Sequence, residues 1–215
     1  MPIDIFHKIA VPDPIPLENN YIDRVDFRLQ VDNDNIASIP ELIEFLSEVS
    51  FKEKIKLSIG VTTATEENPE NKAYNEEFGI KLIELWSKAQ ECGFEIPSDF
   101  ITGPWCIAIA KHSAVLQPDG ELHKCFCTSG NHDMKFSHLN ETQTGTYLKD
   151  ERFEQFRRTD ECISEQCTFL PVCGAGCIHE SFIEDGEEGF GKRFCQKSLI
   201  GVMNRGLLIL NHDSL

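Results

Sequence analysis

Nine cysteines equip this chain of 215 residues for metal or thiol chemistry, and their placement says more than their number. Cys92 stands apart. The other eight, Cys106, Cys125, Cys127, Cys162, Cys167, Cys173, Cys177 and Cys195, all lie in the second half. The densest run, Cys162 to Cys177, separates successive thiols by four, five and three residues. Thiolates at such spacing can turn back on one metal centre at small loop-closure cost. The small residues Gly174, Ala175 and Gly176 let the backbone come close to a bulky group. Eight cysteines suffice for two all-thiolate four-iron clusters, each of which takes four.

Other chemistries use the same residue type. Zinc ribbons favour paired thiolates and rarely need eight of them with irregular gaps. A disulfide framework suits a small secreted domain, and Met1–Ala10 holds neither an apolar signal core nor a cleavage site. Inert buried cysteine explains one or two positions, Cys92 first among them. Iron–sulfur binding is the favoured expectation and zinc its rival. His112, His123, His132, His138 and His179 lie near enough in sequence to be ligands, yet surface or hairpin positions explain each of them.

The elements that must position these thiols divide near residue 102. Val25, Phe27, Leu29 and Val31 alternate with polar residues, as do Ile55, Leu57, Ile59 and Val61, which predicts two half-buried strands. Between them Ser38 and Glu41 have capping-box spacing around Pro40, predicting a helix start. Strand, helix, strand makes a βαβ unit. Phe78, Leu82, Leu85, Trp86 and Ala89 predict a second helix that stops at Gly93. From Gly103-Pro104 the texture shifts to short strands and turns, with Pro118-Asp119-Gly120 turning a hairpin between His112–Gln117 and Glu121–Cys125. The expectation is residues 1–101 as an α/β unit and 102–215 as a small cysteine-rich domain.

A formal net charge of -16 argues against a nucleic-acid surface, which needs clustered Lys and Arg. Ser198–Asn211 is apolar but interrupted by Asn204 and Arg205, so it reads as an amphipathic packing helix and not a membrane span. The expected location is the cytoplasm.

Cys106, thirteen residues, Gly120, four residues and Cys125, followed by Cys162–Cys177 and a last Cys195, resembles the SPASM domain of radical-SAM enzymes. That family reads Cys-x(9–15)-Gly-x(4)-Cys, a gap, Cys-x(2)-Cys-x(5)-Cys-x(3)-Cys, a gap, and a final Cys. The Phe169-Leu170-Pro171-Val172-Cys173-Gly174 wording is typical of it, and the match covers 106–195. One departure is the four-residue gap between Cys162 and Cys167, where the family has two. The resemblance implies two [4Fe-4S] clusters, with Cys106, Cys125 and Cys177 serving the first and Cys162, Cys167, Cys173 and Cys195 the second. Cys127 is the candidate fourth ligand of the first, because on a strand it would face the same side as Cys125.

The first half resembles the later part of the radical-SAM partial (β/α) barrel. In such folds ligands sit at the C-terminal strand ends, which singles out Arg28, Gln30, Asp32, Asn35, Thr62 and Thr63 as substrate or S-adenosylmethionine cavity candidates. The catalytic Cys-x(3)-Cys-x(2)-Cys of that family is missing, since residues 1–91 contain no cysteine. The expected function is therefore the auxiliary-cluster portion of an enzyme that modifies a peptide or protein, with clusters that assist electron transfer or substrate binding. S-adenosylmethionine would bind only if a complementary radical-SAM half supplies its site. The alternative is a non-catalytic peptide- or protein-binding module stabilised by zinc or iron–sulfur.

Overall fold

A computed structural model describes residues 23–62, 74–98, 100, 106–141, 150–153 and 156–212. Strands β1 (Val25–Val31) and β2 (Ile55–Val61) pair in parallel, in a register running from Val25↔Ile55 to Val31↔Val61. Helix α1 (Ile39–Glu48) supplies the crossover that parallel pairing requires. Alternation sends Leu29, Val31, Leu57 and Ile59 into the core with Ile43 and Leu46 of α1.

The expected capping box does not form. A 3-10 turn over Ile36–Ser38 runs directly into α1, so Ser38 already has helical angles and its hydroxyl donates back to the Asn35 carbonyl (2.8 Å). Helix α2 (Glu76–Glu91) is capped, with Asn75 Oδ1 accepting the Phe78 N–H at 2.9 Å. Its Phe78, Leu82, Leu85, Trp86 and Ala89 are all buried. Gly93 ends the helix with φ of 78°, and Cys92 packs half-buried against the same core.

The final helix, α6 (Lys197–His212), brings Leu199, Met203 and Leu207 into that core. The two helices are in close contact: a Cβ on Gly206 would stand 2.5 Å from the Ile83 side chain. Chain order assigns α6 to the 102–215 segment, yet it is packed with the elements of the first half. Asn204 fastens it further, accepting the Phe100 N–H (2.8 Å) and donating to the Phe100 carbonyl (3.0 Å).

Between α2 and α6 lies a three-stranded antiparallel sheet in the order β3 (Val115–Leu116), β4 (Glu121–His123), β5 (Ser137–His138). The hairpin turn stands where the sequence predicts it, with Gly120 at φ 93° and Asp119 Oδ1 accepting the Glu121 N–H. Its arms are shorter than expected. Lys124 Nζ donates to the carbonyls of Ala110 (2.8 Å) and Ser113 (3.0 Å), which holds 110–113 in a turn. Short helices α3 (Asp160–Ser164), α4 (Leu170–Cys173) and α5 (Ile178–Asp185) follow. A second core forms from Ala108, Cys125, Met134, Phe153, Ile178 and Phe190. The fold is mixed α/β. Among the described residues its parallel sheet has two strands and no barrel closes.

Candidate metal centre

Cys162, Cys167, Cys173 and Cys195 come together to line one apolar cavity, along with Phe169, Leu170, Ala175 and Phe194. Local geometry explains how. Cys162 sits on α3, and the chain then turns back through Gln166 at φ 52°, so that the Cys167 N–H donates to the Cys162 carbonyl (2.9 Å). The four-residue gap is accommodated by that turn. Cys173 closes α4, and the Phe194 N–H bonds the Ala175 carbonyl (2.9 Å), which draws Cys195 alongside. Burial pushes the Cys173 thiol up, against backbone N–H donors at Gln196 and Gly176.

Three of the other thiols gather at the second core. Cys106 and Cys127 pack against the cluster that contains Cys125, and Cys177 immediately precedes its member Ile178. Cys125 and Cys127 adjoin each other, but not as alternate residues of a strand. β4 ends at His123, and Cys127 lies in a 3-10 turn over Phe126–Thr128. The hydrogen bond with Cys127, with burial behind it, pushes the Cys125 thiol far up. Burial likewise raises Cys177 to about 11, opposed by the N–H groups of Glu180 and His179 at the start of α5. Cys106 and Cys125 each interact electrostatically with Cys177.

Two features of this chain bear on what the thiols could hold. The first is spacing. Zinc in a four-thiolate site, with bonds of about 2.3 Å, draws its sulfurs to within about 4 Å of one another. Among the described residues no three thiol sulfurs lie within 4.8 Å of one another. A four-iron cluster takes one thiolate per iron at separated corners.

The second feature is Arg158, which is buried. Its Nη2 donates to the carbonyls of Gly174 (2.7 Å) and Gly176, while Nη1 has no hydrogen-bond partner among the described residues. Burial lowers its pKa, and Cys106, Cys177, Cys173 and Cys162 act in the opposite direction when ionised. A buried guanidinium calls for nearby negative charge, and the cysteines around it can supply that as thiolates. The eight thiols therefore form a candidate metal-ligand set, with Cys162, Cys167, Cys173 and Cys195 at the cavity and Cys106, Cys125 and Cys127 at the second core, where Cys177 interacts electrostatically with Cys106 and Cys125.

The strand-end candidates are placed differently. Arg28 and Gln30 are exposed on the outer face of β1, where the Arg28 Nε–H donates to Gln30 Oε1 (3.3 Å). Asp32 and Asn35 are occupied in closing the β1–α1 turn: Asp32 Oδ1 accepts the N–H groups of Asp34 and Asn35, and Asn35 Oδ1 accepts that of Asp32, each at 3.0 Å. The Thr62 N–H bonds the Val31 carbonyl (2.9 Å), and Thr63 lies outside the described residues.

Several neighbours of the thiols carry no sequence signal. Arg193 lines the cavity of Cys162, Cys167, Cys173 and Cys195, bonds Cys162, and is held well above its ordinary pKa by its Glu165 hydrogen bonds (2.6 and 2.9 Å). Tyr74 stands near Cys177 and Cys127, its phenol pushed far up by burial and then by the Glu180 charge. Separately, Asp119, Glu121 and His132 bring ligand atoms within 4.8 Å of one another. The Glu121 carboxylate is already bonded by Lys135 (3.0 Å) and His132 (2.8 Å). Among the described residues no helix is long and apolar enough to cross a membrane. Comparisons with protein-family models, curated proteins and solved structures found no match for this chain.

Proposed function

We propose that this chain binds two [4Fe-4S] clusters and acts as the auxiliary-cluster portion of a radical-SAM system that modifies a peptide or protein. The observation that carries the reading is the sorting of the cysteines into two groups, four at a cavity and Cys106, Cys125 and Cys127 at a second core, with Cys177 interacting electrostatically with Cys106 and Cys125. Cys195 reaches its group from beyond α5, and Cys106 approaches Cys177 across 71 positions, so sequence proximity does not account for the grouping. The number of thiols and their match to the SPASM spacing support iron–sulfur over zinc. Such clusters supply one-electron transfer, with potentials set by burial, net charge and hydrogen bonds to sulfur. The chain's own part is to supply the thiolates, aim N–H groups of Gln196, Gly176, Glu180 and His179 at them, and shield them with Phe169, Phe190 and Phe194. The S-adenosylmethionine site and radical generation belong to a complementary half, and the β1–α1–β2 unit would be its late-barrel counterpart.

Anaerobic reconstitution followed by iron and sulfide analysis and electron paramagnetic resonance tests this. About eight irons and eight sulfides per chain are expected for two four-iron clusters. Cys92→Ser should retain them, while Cys167→Ala should lose part of the second set. Zinc without sulfide refutes the reading and favours a zinc-stabilised binding module. With S-adenosylmethionine and reductant the reconstituted chain alone should form no 5′-deoxyadenosine.

A further inference from the structure

The loop from Cys173 to Cys177 is the covalent link between the two thiol groups, since Cys173 lines the cavity and Cys177 interacts electrostatically with Cys106 and Cys125 at the second core. Gly174, Ala175 and Gly176 in it have φ of 59°, 67° and 80°. Left-handed backbone at three successive residues, one of them bearing a Cβ, does not persist without support. One support is Phe194, whose N–H bonds the Ala175 carbonyl (2.9 Å). The other is the Arg158 Nη2, which takes the two flanking carbonyls. Arg158 sits in the 3-10 turn Phe156–Thr159, four positions before Cys162. It is tied to both thiol groups, with its Nη1 still unsatisfied among the described residues and no carboxylate paired to it there.

We infer that Arg158 is the shared counter-charge of the two cysteine groups and sets the reduction potentials of both clusters together. The inference rests on the iron–sulfur reading above. A four-iron cluster with its thiolates is an anion and gains one further negative charge on one-electron reduction. A fixed cation held nearby stabilises the reduced form more than the oxidised form, and so raises the potential. Low local dielectric makes the effect large, because water cannot screen a buried guanidinium. Arg193 provides the contrast. It lines the cavity of Cys162, Cys167, Cys173 and Cys195, and Glu161 (2.8 Å) and Glu165 (2.6 Å) already neutralise it.

The test is a potentiometric titration followed by electron paramagnetic resonance, on the full reconstituted chain and on Arg158→Gln, Arg158→Lys and Arg193→Gln. In Arg158→Gln both midpoints should fall by at least a tenfold change in the reduction equilibrium, about 59 mV for one electron. Arg158→Lys, which keeps the charge, should hold both within that tenfold. Arg193→Gln should leave the first cluster unmoved. An Arg158→Gln protein with full iron content and either midpoint unchanged overturns the inference while the cluster reading stands. If Arg158→Gln loses its iron, Arg158→Lys decides, and a fully loaded lysine variant with both midpoints displaced more than tenfold overturns it. Absence of iron and sulfide from the unmodified chain would instead remove the reading beneath it.

Discussion

Gly176→Ala should be among the most damaging small substitutions in this chain. The residue has φ of 80°, where an L side chain costs about 1–2 kcal/mol. Its new Cβ would stand 1.8 Å from the Phe194 carbonyl oxygen and 2.8 Å from the carbonyl carbon. Backbone, and not a flexible side-chain tip, blocks the space, so Phe194 must retreat by about 1 Å or more before ordinary contact is restored. That retreat breaks the Phe194 N–H bond to Ala175, worth about 0.5–1.5 kcal/mol. With strained packing around it the loss should reach about 3 kcal/mol, a large fraction of the stability of an ordinary domain. Gly130→Ala isolates the dihedral cost, because Gly130 has φ of 89° and open space around its Cβ position. The assay is urea unfolding of both variants beside the unmodified chain, with iron retention measured in parallel. Gly130→Ala should lose about 1–2 kcal/mol and keep its iron. Gly176→Ala should lose more and, on the proposed iron–sulfur reading, release iron from the reconstituted chain, since Phe194 adjoins Cys195. Equal losses in the two variants would refute the argument from close approach.

Two further outcomes concern the hairpin and the final helix. Hydrogen bonding from Lys135, reinforced by His132 against the opposing effect of burial, holds the Glu121 carboxyl at about 2, below its ordinary 4.5. A depressed carboxyl stabilises the fold fully above its unfolded value and loses that contribution as pH falls through the folded value. The stability gap between the unmodified chain and Glu121→Gln should therefore be constant above about pH 5 and close toward pH 2, as read from urea midpoints across pH. A gap that does not change over that window would refute it. Met203 on α6 is fully buried, so Met203→Ala should cost about 2–5 kcal/mol. A loss under about 1 kcal/mol in thermal or urea unfolding would mean that α6 is not part of the first core.

The β1–α1–β2 unit, α2 and α6 are legible in the sequence because periodic apolar residues report which face is buried without reference to distant contacts. The turn at Asp119-Gly120 is legible because its backbone angles favour particular residue types. The capping box at Ser38 and Glu41 misleads, since the preceding 3-10 turn already makes Ser38 helical and redirects its hydroxyl. Hairpin length is not legible either: Lys124 reaching back to Ala110 and Ser113 shortens it, and no local pattern announces a lysine that caps a turn.

For the thiols, the sequence by itself determined their number, the confinement of eight of the nine to residues 106–195, and the glycines that allow a tight loop between Cys173 and Cys177. The tertiary structure shows how Cys162, Cys167, Cys173 and Cys195 come to line one cavity. Thiol spacing records distance along the chain, and Cys195 joins Cys162 through the pairing of Phe194 with Ala175. It also decided that Asp32 and Asn35 are occupied within their own turn and that Arg158 lies buried among the cysteines. Burial of a charge depends on what folds over it, and nothing in the residues flanking Arg158 records that.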